Sequence, residues 1–319
     1  MRKLRYVVDI GSSYTSIYHN GPILNEATAA FIQRGNKIEL IAVGNDALKY
    51  HDDANTKRSL VSPVKDGVVV YPKVASLMLK SFFKRVIPRT FFTGIEIIIA
   101  IPAGLGDLEK EAYETSVIKA GYSDVALVES VRGLNPFVNK DGQLVIIIGD
   151  GATEIAVLRN NDIVSACSVN ICGQAIDEKI AEYIENVYQA IISTKAAESL
   201  RLNIGSLYEG DISSMEICAR DMIDNRIKNI YVKAESLKEP ICSSYMKIVE
   251  VADNLLADIP SKLLDAVVTN GVYLAGSGAQ IYGLADFMRK HLQIPAVCDP
   301  EPKIAVSRGL FLLQSPYLV

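Results

Sequence analysis

The 319-residue sequence has no tryptophan, three histidines and five cysteines, and each scarcity narrows its chemistry. Cys167, Cys172, Cys218, Cys242 and Cys298 form no C-x-x-C pair and no cluster with histidine, which argues against a structural zinc site. An odd, scattered set fits reduced, buried thiols of a cytosolic protein rather than a disulfide framework. An excess of positive charge is missing too. Against 33 Lys and Arg stand 37 Asp and Glu, for a net charge of -4, so nucleic acid is not expected as the main partner. The first residues are basic and lead straight into the strand-like run 4–10, without the apolar stretch and cleavage site of a secretory signal. No apolar run is long enough to span a bilayer; the longest, 95–101 around Glu96, has the pattern of a buried strand. Membrane contact, if present, is expected to be peripheral.

What is there is ordered. Hydrophobic residues make up 49% and charged residues 22%, an ordinary globular composition, and the length allows roughly two domains. Val7-Val8-Asp9-Ile10-Gly11-Ser12-Ser13-Tyr14-Thr15-Ser16-Ile17 can be laid over Val145-Ile146-Ile147-Ile148-Gly149-Asp150-Gly151-Ala152-Thr153-Glu154-Ile155. Both read as strand, tight small-residue turn and second strand, followed by a further turn and strand. One copy opens each half of the chain, as an internal duplication requires. Helical spacing predicts helices over 73–86, 107–120, 177–188 and 285–292. Strands over 95–101, 125–128, 144–148, 163–170 and 272–274 complete a mixed α/β pattern in each half. The more charged stretch 193–250 reads as a mostly helical insertion in the second half, and 29–64 as a smaller insertion in the first.

The turns carry the chemistry. A strand ending in Asp9 and running into Gly11-Ser12-Ser13 can hold a polyphosphate: glycine admits close backbone approach, hydroxyls donate, and turn amides form an anion nest. Asp9 would reach a hydrated magnesium rather than the phosphate. Alone, the segment also fits a plain structural turn. A third small-residue turn, Gly276-Ser277-Gly278, follows an apolar strand and precedes a helix, where a nucleoside could lie against backbone. Three such turns in this order are hard to attribute to coincidence.

The ordered set resembles the actin, heat-shock-seventy and sugar-kinase ATPase superfamily, and the text around it is similar to bacterial actins of the MreB type. Asn25-Glu26, Val43-Gly44-Asn45-Asp46-Ala47, Pro63-Val64-Lys65-Asp66-Gly67-Val68 and Ile101-Pro102-Ala103-Gly104 occur in the same order as in MreB proteins. So do Gly173-x-x-x-Asp177-Glu178 and Ile204-Gly205-Ser206-Leu207-Tyr208; the 63–68 and 204–208 segments are the more specific. The resemblance implies an α/β, actin-like ATPase fold: two similar lobes, each a mixed sheet flanked by helices, around a nucleotide cleft, with two smaller inserted subdomains. Lobe I would take residues 1–138 and 305–319, with the insertion at about 29–64; lobe II would take 139–304, with the insertion at about 193–250. Asp9, Gly11, Ser12, Ser13 and Thr15 would form the first phosphate turn, and Gly149, Asp150, Gly151 and Thr153 the second. Gly173 would lie near the phosphates, Arg201 and Asn203 near the nucleoside in place of a lysine and a glutamate, and Gly276, Ser277 and Gly278 along the adenosine. The implied cofactors are ATP or ADP with Mg2+.

Departures from the family pattern are informative. The glutamate that orients the attacking water is replaced by Ser130, which can hydrogen-bond water but is no general base at neutral pH. The aspartate that opens the second turn is replaced by Ile147, and its middle glycine by Asp150. Like charges at about 4 Å cost ~1 to 4 kcal/mol at surface-like dielectric. Asp150 therefore either recruits Mg2+ together with Asp9 or weakens triphosphate binding. General base and metal positioning each contribute on the order of 100-fold or more, so hydrolysis is expected to be very slow or absent unless a neighbour such as Glu129 or Glu154 compensates.

Phe91 and Phe92, flanked by Lys84, Arg85 and Arg89, match the place of a membrane-insertion loop in MreB proteins; they fit interfacial anchoring and equally the start of the next buried strand. The function that the resemblance implies is a cytoskeletal filament on the inner face of the cell membrane, self-assembled as an antiparallel double protofilament, with the membrane surface and paralogous actin-like proteins as further partners. A MamK-like organelle-positioning filament and a non-polymerising regulatory nucleotide switch are the alternatives. A sugar kinase would need a catalytic aspartate and an acceptor pocket, and neither is identifiable.

Overall fold

Leu4–Ile10, a mostly apolar run interrupted by Arg5 and Asp9, is the central strand of a five-stranded sheet in the structure, a computed structural model that describes residues 3–50, 52, 57–88 and 94–313. The described chain divides into two units, one of residues up to Phe137 together with those from Ile304, the other Val138–Lys303.

In the first unit the sheet order is Val125–Glu129, Ile95–Ile101, Leu4–Ile10, Tyr14–Tyr18, Pro22–Ala27. The first three strands run parallel, while the last two continue from Leu4–Ile10 as an antiparallel meander. Ile97, Ile98 and Ile99 are fully buried, which requires both faces of the strand to be covered and explains the apolar run 97–101. Helices Pro72–Val86 and Asp107–Ala120 supply part of that cover, contributing Met78, Leu79, Phe82, Phe83, Tyr113 and Val117 to one core. Each such buried side chain contributes roughly 1.5 to 3 kcal/mol. Proline at the first helical turn starts one helix, and Gly121 at φ 116° ends the other in a left-handed conformation that favours glycine. A smaller sheet, with Ala30–Arg34 between Ile38–Val43 and Arg58–Val61, occupies the stretch after the meander.

The second unit repeats the plan. Its sheet order is Asp162–Val169, Thr153–Arg159, Gln143–Ile148, Val272–Ala275, Ala296–Cys298, again a meander on one side of the central strand and parallel strands on the other. Gln143–Ile148 is buried at every position. Helices Gly173–Tyr188, Thr194–Ile204 and Ala234–Ala257 bring Ile176, Ile180, Leu200, Leu237, Tyr245 and Ile248 onto it.

The stretch 193–250 is not mostly helical. Between two helices it folds as a hairpin, Ser214–Asp221 with Ile227–Lys233, beside the short strand Ala190–Ile191. Ile217, Ala219, Ile230 and Val232 point inward and Glu216, Arg220, Ile227 and Tyr231 outward, an alternation of period two that the high charge of the segment obscures. The third helix also starts four residues earlier than its periodicity predicts, at Gly173.

Candidate functional site

The two overlaid segments fold into the same turn. Gly11 N–H donates to the Tyr14 carbonyl at 3.0 Å in the first unit, and Gly149 N–H donates to the Ala152 carbonyl at 2.9 Å in the second. A Cβ at Gly11 would lie 2.9 Å from that carbonyl oxygen, and one at Gly149 2.8 Å from its counterpart, so each position requires glycine for the same close approach. The registers agree as well: Asp9 pairs with Ser16, and Ile147 with Glu154. Ile147 thus occupies the equivalent of Asp9 in its own sheet, and its side chain is buried.

Around the first turn, Thr15 is buried with its hydroxyl 2.9 Å from that of Thr28, and the Ser13 carbonyl accepts from Thr28 N–H at 2.8 Å. Ser12 Oγ accepts from Gly67 N–H at 3.3 Å, and Ser62 Oγ donates to the Ser12 carbonyl at 3.3 Å. Tyr113 Oη in turn donates to the Gly67 carbonyl at 2.9 Å. The segment 63–68 therefore braces this turn, a role its sequence did not disclose. Asp9 differs from these residues. Its carboxylate makes no hydrogen bond or ion pair among the described residues, and burial pushes its pKa up to about 6. A desolvated carboxylate without a partner is the feature a hydrated cation would satisfy.

In the second unit Asp150 has a partner. Arg201 Nη2 lies 3.5 Å from Asp150 Oδ1, while Nε and Nη2 form a bidentate pair with Asp177 at 2.6 and 3.1 Å. Burial raises Asp177 to about 6, against the pull of Arg201 in the opposite direction. Gly173 opens its helix beside them: its N–H donates to the Gly149 carbonyl and that of Gln174 to the Asp150 carbonyl, both at 3.0 Å. Gly151 and Thr153 are buried in the same turn, with Thr153 Oγ1 donating to the Ile171 carbonyl.

The third turn packs onto the second. A Cβ at Gly276, φ 90°, would lie 2.3 Å from the Ile148 carbonyl oxygen, and one at Gly278 2.3 Å from Ile148 Cγ2. Tyr245 Oη donates to the Gly278 carbonyl at 2.8 Å, and burial raises the phenol so that it keeps its proton. Beside this turn lies a pocket of about 660 Å3 lined by Arg201, Asn203, Tyr245, Ser277, Gly278 and Tyr282 among others. The Asn203 amide itself donates to the Ser199 carbonyl of its own helix at 2.7 Å. Asp177 and Tyr245 were not singled out from the sequence; the first stands in the quoted Gly173-x-x-x-Asp177-Glu178 motif, and the second carries no local signal.

Ser130, buried, donates from Oγ to the Ile101 carbonyl at 3.0 Å, which spends its proton inside its own unit. Glu129 pairs with Arg132 at 3.1 Å. Glu154 is buried. Arg85 pairs with Glu26 at 2.9 Å and stacks on Phe82, and Lys84 is exposed. Arg89, Phe91 and Phe92 lie outside the described residues. No described helix is long and apolar enough to cross a membrane.

Residues 4–316 match the family model described as MreB/Mbl protein. The cell shape-determining protein Mbl of Bacillus cereus is 28% identical over 316 residues, 96% of this chain and 94% of that one. The structure of MreB 5 of Spiroplasma citri bound to AMPPNP superposes with a TM-score of 0.89 at 26% identity, covering 98% of this chain and 96% of the other. A MamK double helical filament subunit superposes at 0.79 with 18% identity, covering 97% and 98%, a likeness of fold alone.

Proposed function

The chain belongs to the MreB/Mbl protein family, and from that premise we propose that it is an actin-like cytoskeletal subunit that binds ATP or ADP, assembles into filaments at a membrane surface and hydrolyses its nucleotide very slowly or not at all. One observation carries the nucleotide reading. In the second unit two glycine turns, the start of a helix and a buried arginine meet beside a pocket of about 660 Å3. Close backbone, a cation and a concave wall are what a nucleoside polyphosphate needs. The family relative from S. citri, 26% identical, is bound to AMPPNP, which supports the same ligand class.

The first turn has the geometry of the second and offers Asp9. A hydrated Mg2+ fits that unpartnered carboxylate, held through water, and would offset phosphate charge there. Among the described residues no group of three or more His, Cys, Asp or Glu could hold a metal by itself, so the remaining ligands would be water and phosphate oxygens. For slow hydrolysis the support is chemical. Ile147 offers no ligand, and Ser130 hands its proton to a backbone carbonyl rather than to water. Neither acts as a general base.

Assembly is supported by the family, whose B. cereus member is named cell shape-determining, and a role in cell shape or intracellular organisation follows from it. The eroded catalytic positions favour a second reading, a non-polymerising nucleotide switch. Electron microscopy and ultracentrifuge pelleting of the purified protein with ATP, with a non-hydrolysable analogue and with anionic lipid vesicles decide between the two. Filaments that form with either nucleotide and persist support the proposal; a supernatant-only protein that binds ATP supports the switch.

A further inference from the structure

Asp150 and Arg201 lie 51 positions apart, and the structure brings their side chains into an ion pair at 3.5 Å. Their surroundings make the contact specific. Arg201 is 5% exposed and Asp150 14%, so the pair stands largely out of water. The Asp177 fork fixes the guanidinium plane from one side, using Nε and Nη2. A Cβ at Gly173 would sit 2.4 Å from Asp150 Oδ1 and 3.0 Å from Arg201 Nη2, so the pair meets through space that only glycine leaves open. The Nη1 donors of Arg201 make no hydrogen bond among the described residues, and the side chain lines the pocket beside Ser277 and Gly278. Guanidinium carries five N–H donors in a rigid fork, so one edge can serve protein carboxylates while the other remains for a ligand oxygen.

We propose that Arg201 is the resident counter-cation of the second glycine turn: held by Asp177, it neutralises Asp150 and presents its remaining edge to a phosphate oxygen of a nucleoside polyphosphate, so that no metal ion is needed at Asp150. The proposal rests on the nucleotide reading above and deepens it. The carboxylate that stands where a glycine is expected then repels no phosphate, because its charge is balanced within the protein. Asp9, in the first unit, remains a carboxylate open to a hydrated cation.

A double-mutant cycle on the intact chain tests it, with Arg201→Lys, Asp150→Asn and the pair, read as the Kd for ATP and for adenosine in Mg2+ and in chelator. Arg201→Lys keeps the positive charge beside Asp177, and circular dichroism with a melting curve on each variant confirms folding before binding is scored. The expected loss in ATP affinity for Arg201→Lys is about tenfold (about 1.4 kcal/mol) in the wild-type background and about threefold, the phosphate contact alone, in the Asp150→Asn background. Asp150→Asn alone changes ATP affinity by less than about twofold, leaves adenosine unchanged and leaves the Mg2+ dependence of ATP binding unchanged. A merely structural pair would move the melting temperature with no phosphate-dependent coupling. Equal losses in both backgrounds, or coupling of the same size for adenosine, overturn the proposal while leaving nucleotide binding standing. A wild-type chain that binds no ATP overturns both. Should Arg201→Lys fail to fold, Gly173→Ala replaces it in the cycle, since it wedges the pair apart without changing charge, with the same coupling expected.

Discussion

Replacing Asp9 by asparagine removes a charge the fold holds unpartnered, and its effect can be worked out in advance. Burial raises the carboxyl from 3.8 to about 6. The unfolded chain therefore loses its proton first as pH rises, and the folded state pays a growing penalty through that interval. Below about pH 3 both states are protonated and the group contributes nothing; above about pH 6 the penalty is complete. At 1.36 kcal/mol per pH unit it amounts to about 3 kcal/mol, and halving it for the solvent that still reaches the residue leaves ~1.5 kcal/mol. Asp9→Asn should thus raise the melting temperature of nucleotide-free protein by about 3 to 6 °C at pH 7.5, and by nothing measurable at about pH 3. Mg2+ with ATP should then stabilise the variant less than the wild type, because the carboxylate that fits the hydrated ion is gone. Differential scanning fluorimetry across pH, with and without Mg2+ and ATP, reads all three. A variant less stable than wild type at pH 7.5, or one that gains as much from Mg2+ and ATP, refutes the reasoning.

Ser130→Ala should lower stability by about 1 kcal/mol, the loss of one buried hydrogen bond to the Ile101 carbonyl, and leave phosphate release unchanged in a coupled assay. Gly149→Ala should destabilise the second unit by roughly 1 to 3 kcal/mol and weaken ATP binding, since its Cβ would meet the Ala152 carbonyl at 2.8 Å; denaturant unfolding and a binding titration check both. The Phe91→Ser, Phe92→Ser double variant should lose sedimentation with anionic liposomes while its melting temperature stays within about 2 °C of wild type, the pattern of interfacial rather than core aromatics.

Much of the fold was legible because its strongest signals are local. The overlay of 7–17 on 145–155 became two turns with the same hydrogen bond and the same glycine constraint, since turn chemistry is written in adjacent residues. The apolar run 97–101 became a strand segment buried on both faces, and Gly121 ended its helix. The hairpin 214–233 was missed because its inward positions, Ile217, Ala219, Ile230 and Val232, are interleaved with charges that mimic a solvated helix. At the site, the glycines were readable from their turns, whereas the partner of Asp150 was not. The ion pair of that carboxylate is with Arg201, which lies 51 positions away and reaches it only after a helix, a short strand and a second helix have folded. The bracing of Ser12 by Gly67 and the tie from Tyr245 to Gly278 are likewise long-range contacts without a sequence spacing of their own.

The claim on which the rest depends is that these turns hold a nucleotide and leave it intact. Incubating the purified protein with ATP labelled on the γ-phosphate, separating the protein-bound fraction and reading its label over an hour tests this in one measurement. The account predicts bound nucleotide that remains ATP throughout; an unlabelled protein fraction, or bound ADP accumulating within minutes, would contradict it.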